Sequence, residues 1–228
     1  MPQNRYDNIL RKHNQDIINL SPANQTMRIE LALEIKKTLE QKPYLKILEL
    51  GVGEGDLTKY ILQYNPDIKL DCLDVSEEMI ESAKNNLGEK NINFIHEDAY
   101  EYLDKPKGKA YGIILSAWTI HNFTKKDQKK LFEKIYDKLQ EGGMMIIMDK
   151  IYTGDERLDI YLAWLQNKRY RYLPSLAYQA IVDHEAQDID PEYRMQESQT
   201  KLLLKEIGFS EIEILDRIER DVILIAKK

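Results

Sequence analysis

The sequence predicts an α/β protein in which a mostly parallel sheet is covered by helices on both faces. From residue 45 onward, short apolar runs typical of buried strands alternate with segments whose apolar residues recur at helical spacing. This alternation favours a parallel sheet, because parallel neighbours need a long crossover connection, which is usually a helix. Two further apolar runs, at residues 211–215 and 222–226, lie close together near the end of the chain and predict a hairpin.

Two helical segments precede the first strand. Apolar residues at helical spacing occupy residues 9–20 and 29–39, and a proline-containing break at residues 21–24 separates them. We therefore predict an N-terminal helical cap over residues 1–43 and the main α/β domain over residues 44–228.

Three glycines follow the first predicted strand, at residues 45–50. Gly51, Gly53 and Gly55 are spaced by two, and helical periodicity resumes at Leu57. Glycine allows positive φ and lets a ligand approach the main chain closely, and the next helix offers free N–H groups at its N-terminus. The strand, turn and helix therefore suit a nucleotide-like cofactor.

Two carboxylates, Glu49 and Glu54, stand beside this turn. The dinucleotide fingerprint G-x-G-x-x-G would place its last small residue at Asp56, which does not match. Acidic side chains repel a phosphate and favour a cation. A cationic cofactor without phosphate is therefore expected.

Residues 49–55, which read E-L-G-V-G-E-G, resemble the first motif of the class I S-adenosylmethionine-dependent methyltransferases. The resemblance implies S-adenosylmethionine as cofactor and S-adenosylhomocysteine as product. It also implies a doubly wound, seven-stranded sheet that ends in an antiparallel pair, and a helical cap that closes over the cofactor. Tyr6 in the cap is then a candidate contact, with packing as the alternative. The implied contacts of the turn are Glu49, Gly51, Gly53 and Gly55.

The second predicted strand, residues 69–74, ends in an acidic residue. Asp74 lies about 20 residues after the last glycine, the spacing of ribose-binding carboxylates in doubly wound folds. We predict that it accepts both ribose hydroxyls, and a carboxylate with no ligand is the alternative. Ser76 is expected to cap the next helix. The resemblance places Val75 and Met79 near the cofactor.

The third and fourth predicted strands, residues 91–95 and 111–116, end in further candidate site residues. The resemblance implies that Asp98 binds the amino group of adenine and that the N–H of Ala99 meets the ring. The spacing equally allows Asp98 to cap the following helix. The resemblance places the reacting face of the pocket at the end of strand four, and Ser116 is a further cofactor candidate.

A helix opened by Thr124 is expected to close at Gly142 and Gly143, before a fifth strand at residues 144–148. A last helix, at residues 198–207, leads into the terminal hairpin.

A helical insertion is predicted at residues 151–190. Five of the 14 tyrosines lie between Tyr152 and Tyr178. The resemblance implies a substrate-binding element here, which makes Tyr161 and Tyr172 candidate catalytic residues and Tyr170 a further candidate on the acceptor side. Aromatic residues at helical spacing also pack cores, and that is the alternative.

Methyl transfer from a sulfonium can rest on proximity and alignment alone. An acceptor that loses a proton would gain from a general base. His121, just after strand four, is the best-placed histidine, and the alternative is a hydrogen-bonded loop histidine.

Several methyltransferase subclasses lack their motifs in this sequence. There is no Asn/Asp-Pro-Pro-Tyr run and no Pro-Cys pair, so acceptors such as DNA bases and glutamine are disfavoured and a small molecule is expected. Residues 134–136, 142–143 and 203–209 also resemble the branch that includes carboxy-S-adenosylmethionine synthase. The alternatives are therefore an enzyme that modifies or cyclises S-adenosylmethionine itself and a non-catalytic cofactor-binding module.

A metal site is not expected. Residues 183–185 read D-H-E, but no second histidine follows at i+4, and His13, His96 and His121 show no ligand spacing.

Composition limits the partners. The net charge is −6 and no basic cluster coincides with a motif, so a nucleic-acid partner is disfavoured. No apolar run approaches the roughly 20 residues of a membrane span. The single cysteine, Cys72, excludes an intramolecular disulfide. We expect a cytoplasmic monomer or homodimer without a membrane partner.

Overall fold

A seven-stranded sheet forms the centre of the protein in the computed structural model, which describes residues 9, 12–43, 45–88, 91–106 and 110–228. The strands are β1 (Ile47–Leu50), β2 (Leu70–Asp74), β3 (Ile92–His96), β4 (Tyr111–Ala117), β5 (Leu139–Lys150), β6 (Glu211–Ile218) and β7 (Asp221–Lys227). Their order across the sheet is β3-β2-β1-β4-β5-β7-β6. The first five strands are parallel, and β7 runs antiparallel between β5 and β6. The predicted fold class is confirmed.

Nine α-helices lie within the described residues. They are α1 (Asn14–Leu20), α2 (Pro22–Gln41), α3 (Asp56–Tyr64), α4 (Glu77–Leu87), α5 (Ala99–Asp104), α6 (Lys125–Lys138), α7 (Glu156–Tyr170), α8 (Ser175–Asp188) and α9 (Glu197–Ile207). A short 3₁₀ helix, Ile120–Asn122, follows β4. Tyr6, the candidate contact in the cap, lies outside the described residues.

Side-chain caps fix the start of several helices. Ser76 Oγ accepts a hydrogen bond from the N–H of Met79, and Thr124 Oγ1 accepts one from the N–H of Asp127. The end of α6 differs from the prediction. The helix stops at Lys138, because Leu139 is fully buried and already pairs with Tyr111 of β4.

The two faces of the sheet bury separate apolar clusters, because neighbouring side chains on a strand point to opposite faces. Ile113 and Leu115 of β4 belong to the cluster beneath α2, α3 and α4. Ile114 belongs to the cluster beneath α5, α6 and α9. Cys72 is buried in the first cluster. Helices thus cover both faces of the sheet. The carboxyl ends of the parallel strands lie together at one uncovered edge.

A third apolar cluster joins α1 to the insertion. Ile17 of α1 packs with Tyr170 of α7 and with Ala177 and Ile181 of α8. The break between α7 and α8 falls at Pro174, as the sequence indicates. These three helices form a roof over the edge where β1, β4 and β5 end. In the part of the chain that the structure describes, no helix combines the length and apolarity needed to span a bilayer.

Candidate active site

A cavity of about 600 Å³ lies at the carboxyl ends of β1, β2, β4 and β5, beneath this roof. Open α/β sheets bind ligands at this edge, and the volume falls within the range of about 300–1,000 Å³ typical of small-molecule sites. The cavity has two ends. The turn after β1 and the end of β2 form one end, and residues of β5, α7 and α8 form the other.

The glycines of the turn have different structural roles. Gly51 has a φ of +74°, and a Cβ there would lie 2.3 Å from Thr119 Oγ1, so the packing requires glycine. Gly53 has a φ of +55°, lines the cavity and would carry a Cβ with no atom within 4 Å. The backbone of Gly53 is therefore open to a ligand. Gly55 caps α3 and is not part of the cavity wall.

Asp74 joins the turn to the end of β2. Its Oδ2 accepts a hydrogen bond of 2.9 Å from the N–H of Gly53, and its Oδ1 accepts one of 2.9 Å from the N–H of Ser76. Burial raises the pKa of Asp74, although these N–H groups favour the ionised form. The carboxylate lines the cavity beside the exposed backbone of Gly53, as a ribose-binding residue would.

Glu49 lines the cavity from β1 and is buried. Its Oε2 accepts a hydrogen bond from Thr58 Oγ1. Burial raises the pKa of Glu49 to about 7, although the Thr58 hydroxyl and the charge of Arg28 oppose the shift. The group thus changes charge near neutral pH.

The other predicted cofactor residues fall into two groups. Val75, Met79, Asp98 and Ala99 line the cavity. Asp98 also caps α5, accepting hydrogen bonds from two backbone N–H groups, so the capping alternative is observed and the adenine contact stays a prediction. Ser116 lies outside the cavity wall, because its hydroxyl donates to Leu50 O at 3.1 Å within the sheet.

His121 stands at the other end of the cavity and is held by Asp149, the carboxylate near the end of β5. His121 Nδ1 lies 2.6 Å from Asp149 Oδ1. Asp149 Oδ2 accepts the N–H groups of Ile120 at 2.8 Å and of His121 at 3.2 Å. Burial alone would lower the pKa of His121, but the charges of Asp149 and Asp188 outweigh burial and raise it.

The insertion brings a second histidine to the same place. The rings of His121 and His184 lie edge to face with centroids 5.8 Å apart. Burial lowers the pKa of His184 to about 4, with a further contribution from the charge of Lys150. Lys150 Nζ is 2.7 Å from Glu185 Oε1 and 2.7 Å from Asp188 Oδ2. Strand β5 and helix α8 are thus joined by buried ion pairs.

A second set of buried polar contacts involves β7. Arg220 is 1% exposed and donates to Glu185 Oε2 at 2.5 Å and to Tyr152 Oη at 3.0 Å. Trp118 has a φ of +46°, which is strained for a bulky residue, and donates through Nε1 to Asp221 Oδ1 at 2.7 Å. The loop after β4 is therefore held in a fixed conformation at the cavity.

The two candidate catalytic tyrosines lie outside the cavity wall. Tyr161 is 53% exposed and Tyr172 is 83% exposed. Tyr170, at the end of α7, is the tyrosine of this group that points inward. It is 4% exposed and lines the cavity. The sequence did not show which of these tyrosines lie in the cavity wall.

Sequence reasoning missed Asp149, Asp188 and Lys150. Only Asp149 carried a signal, as an acidic residue near the end of the strand beside β4. The contact between His184 and His121 depends on the path of the insertion across the sheet edge, and no local spacing reveals it.

Comparison with known proteins shows what this chain is similar to. A family model described as a methyltransferase domain matches residues 47–143. Carboxy-S-adenosyl-L-methionine synthase of Nautilia profundicola is 29% identical over 222 residues, which cover 93% of this chain and 89% of that protein. Residues 47–143 thus match a methyltransferase domain, and the chain as a whole is similar to the class I S-adenosylmethionine-dependent methyltransferases. The resemblance to this family and the cofactor S-adenosylmethionine, both predicted from the glycine turn and Asp74, are confirmed.

Two further similar proteins are informative. Malonyl-[acyl-carrier protein] O-methyltransferase 1 of Ilyobacter polytropus is 40% identical over 112 residues, 49% of this chain but only 40% of that protein. The match thus spans less than half of the relative. The solved structure of the plantazolicin methyltransferase BpumL with SAH has a TM-score of 0.72 at 18% identity, and the match covers 100% of this chain and 93% of that one. At this identity the likeness concerns the fold.

Proposed function

We propose that the protein transfers the methyl group of S-adenosylmethionine to a small-molecule acceptor, which binds at the His121 end of the cavity. The observation that carries the proposal is the continuity of one cavity. It runs from the bare backbone of Gly53 and the carboxylate of Asp74 to the buried imidazoles of His121 and His184. When bound, the cofactor supplies a methyl group activated by the sulfonium.

The protein's own contribution is binding, alignment and the exclusion of water. Asp74 and the turn fix the cofactor end, and the acidic side chain of Glu49 suits a cationic ligand. The roof formed by α1, α7 and α8 covers the reacting region, which favours alignment of donor and acceptor. Transfer would form a bond between the acceptor atom and the methyl carbon and break the sulfur–carbon bond, whose electron pair would stay on sulfur. The proton of the acceptor passes to water or to a nearby base.

The acceptor end of the cavity is polar and buried. His121 is oriented by Asp149, so that Nε2 is the ring nitrogen that can face a ligand. Tyr170, rather than the exposed Tyr161 and Tyr172, is the tyrosine that we expect to contact the acceptor. The name of the Ilyobacter relative describes transfer to an oxygen atom, which supports an oxygen nucleophile as the first class of acceptor to test.

A second candidate function follows from the relative from Nautilia. Its match extends along nearly the whole chain, whereas the match to the O-methyltransferase covers about half of it. An activity like that of carboxy-S-adenosyl-L-methionine synthase would change the cofactor itself and need no methyl acceptor.

Mass spectrometry of S-adenosylmethionine incubated with the protein separates these functions. S-adenosylhomocysteine that forms only when the small-molecule fraction of a cell extract is added supports methyl transfer. A modified cofactor formed with no methyl acceptor would favour the second candidate. Unchanged cofactor in every extract, together with measurable binding, would contradict both enzymatic proposals.

A further inference from the structure

Three buried side chains at the acceptor end form a cluster that could ligate a metal ion. His121 follows β4, and His184 and Asp188 lie one turn apart on α8. Each offers one ligand atom, and these atoms all lie within 4.8 Å of one another. We propose that this trio binds a divalent transition-metal ion. The role of the ion rests on the proposed function: it holds an oxygen atom of the acceptor beside the methyl donor.

The geometry is close to that of a bound ion. Metal–nitrogen and metal–oxygen bonds of about 2.0–2.2 Å place three ligand atoms about 3.3–3.8 Å from one another. The side chains therefore need to move together by less than about 1 Å. Three protein ligands leave coordination positions for water or substrate, as in catalytic rather than structural sites. Two imidazoles with one carboxylate suit ions such as Zn²⁺, Fe²⁺ or Mn²⁺.

The groups behind the ligands also fit a metal site. Asp149 Oδ1 lies 2.6 Å from His121 Nδ1, which directs Nε2 of the ring away from Asp149. Histidine ligands of metals commonly donate their other ring N–H to a carboxylate in this way. Lys150 Nζ contacts one oxygen of Asp188, Oδ2, at 2.7 Å and so fixes the orientation of that carboxylate.

Buried charged groups of both signs surround the trio. Among the buried groups described here, carboxyl groups outnumber the lysine and arginine side chains that pair with them. The carboxyl groups are Asp149, Glu185, Asp188 and Asp221, and the two cations are Lys150 and Arg220. His121, whose pKa the charges of Asp149 and Asp188 raise, adds positive charge here, so a divalent ion would take the place of its proton.

The acceptor implied by this site bears a hydroxyl or carboxylate oxygen. Such oxygen atoms enter the open positions of a divalent ion, which also makes a bound hydroxyl more acidic. The sequence-based argument against a metal site did not include the pair His121 and His184. That exclusion examined spacing along one helix, whereas the ligands come from two separate parts of the chain.

The test is metal binding by the chelator-treated full-length protein. Reconstitution with Co²⁺ and Zn²⁺, followed by removal of unbound ion, should give about one ion per chain by elemental analysis. Co²⁺ should also give a visible absorption band. The conservative His184→Gln variant should lose the band, and Asp149→Asn should weaken metal affinity by about 10–100-fold. His13→Ala, which changes a histidine outside the cavity, is the matched control and should bind like the wild type.

Wild-type protein that binds neither ion would overturn the proposal, and so would a His184→Gln variant that folds and binds Co²⁺ like the wild type. The unfolding temperature shows whether each variant folds. If His184→Gln does not fold, metal binding by the wild type alone decides the test. Formation of S-adenosylhomocysteine is measured in parallel. A wild type that transfers methyl groups without binding metal refutes only the metal site. Metal binding with no turnover in any extract refutes the proposed function but leaves the metal site standing.

Discussion

The backbone N–H of Gly53 donates a hydrogen bond of 2.9 Å to Oδ2 of Asp74. The contact joins the turn after β1 to the end of β2, the two places where the sequence predicted cofactor binding. Each residue therefore helps to position the other. Substitutions at either position should affect cofactor affinity before they affect the core of the sheet.

Asp74→Ala should weaken the binding of S-adenosylmethionine by about tenfold or more. Hydrogen bonds to a charged group are worth about 1.5–3 kcal/mol, and about 1.4 kcal/mol corresponds to a factor of ten in affinity. Isothermal titration calorimetry measures the change. Asp67→Ala, which removes an exposed carboxylate outside the cavity, is the matched control. Equal affinity in wild type and Asp74→Ala would remove Asp74 from the cofactor site.

Alanine at Gly51 and at Gly53 should have different effects. Both positions have positive φ, so either alanine costs about 1–2 kcal/mol of backbone strain. Gly51→Ala adds a clash with Thr119 Oγ1 and should lower the unfolding temperature more. Gly53→Ala places its methyl group in open space at the cavity and should mainly lower cofactor affinity. If Gly53→Ala bound the cofactor as tightly as the wild type, the turn would not contact the ligand.

Cofactor affinity should rise with pH because of Glu49. Its pKa of about 7 in the free protein means that the carboxyl group is neutral below this pH and ionised above it. The ionised form attracts a cationic ligand, so calorimetry between about pH 6 and pH 8 should show tighter binding at the higher pH. Glu49→Gln should give a flatter profile. The same slope in the variant would assign the pH dependence to another group.

Glu49 should affect the stability of the free protein in the opposite direction. Its pKa in the folded protein lies above the ordinary value of 4.5, so folding favours the protonated form. The resulting stability is complete below that ordinary value and is lost as the pH rises through about 7. The free energy of unfolding of the wild type should therefore fall, relative to Glu49→Gln, as the pH rises through this range. Parallel pH profiles from urea unfolding would contradict the assignment.

Tyr170→Phe should change the KM or kcat for the acceptor and leave cofactor affinity nearly unchanged. Tyr170 is buried in the cavity wall, and Gln166 Nε2 donates to its hydroxyl at 3.2 Å. Tyr172 also precedes Pro174 but is exposed, so Tyr172→Phe is the control and should behave like the wild type. Steady-state kinetics with the identified acceptor measures both. Equal kinetics for the two variants would mean that the insertion only packs over the site.

The position of Gly51, Gly53 and Asp74 at one end of the cavity could be predicted from the sequence because their signals are local. Gly51, Gly53 and Asp74 follow strands at fixed spacing, and Ser76 starts a helix in the usual way. The mostly parallel sheet followed from the alternation of strands and helices, and the seven strands with a terminal antiparallel pair followed from the resemblance to a family.

The acceptor end could not be predicted in this way. His184 meets His121 only because α8 crosses the sheet edge, and this path depends on packing against α1 and on buried ion pairs. Asp149 meets His121 because β5 lies beside β4. Helical periodicity was also a poor guide to the insertion. Tyr161 and Tyr172 have the residue type expected of a pocket wall, but the rotation of each side chain is set by contacts that the sequence does not show.

The fate of the methyl group tests the proposed function most directly. Protein is incubated with S-adenosylmethionine labelled in the methyl group and with whole-cell extract, and the label is then measured separately in the small-molecule and macromolecule fractions. Label in a small molecule, formed in equal amount with S-adenosylhomocysteine, is the result that we predict. Label found only in protein or nucleic acid, or retained on a modified cofactor, would contradict methyl transfer to a small acceptor.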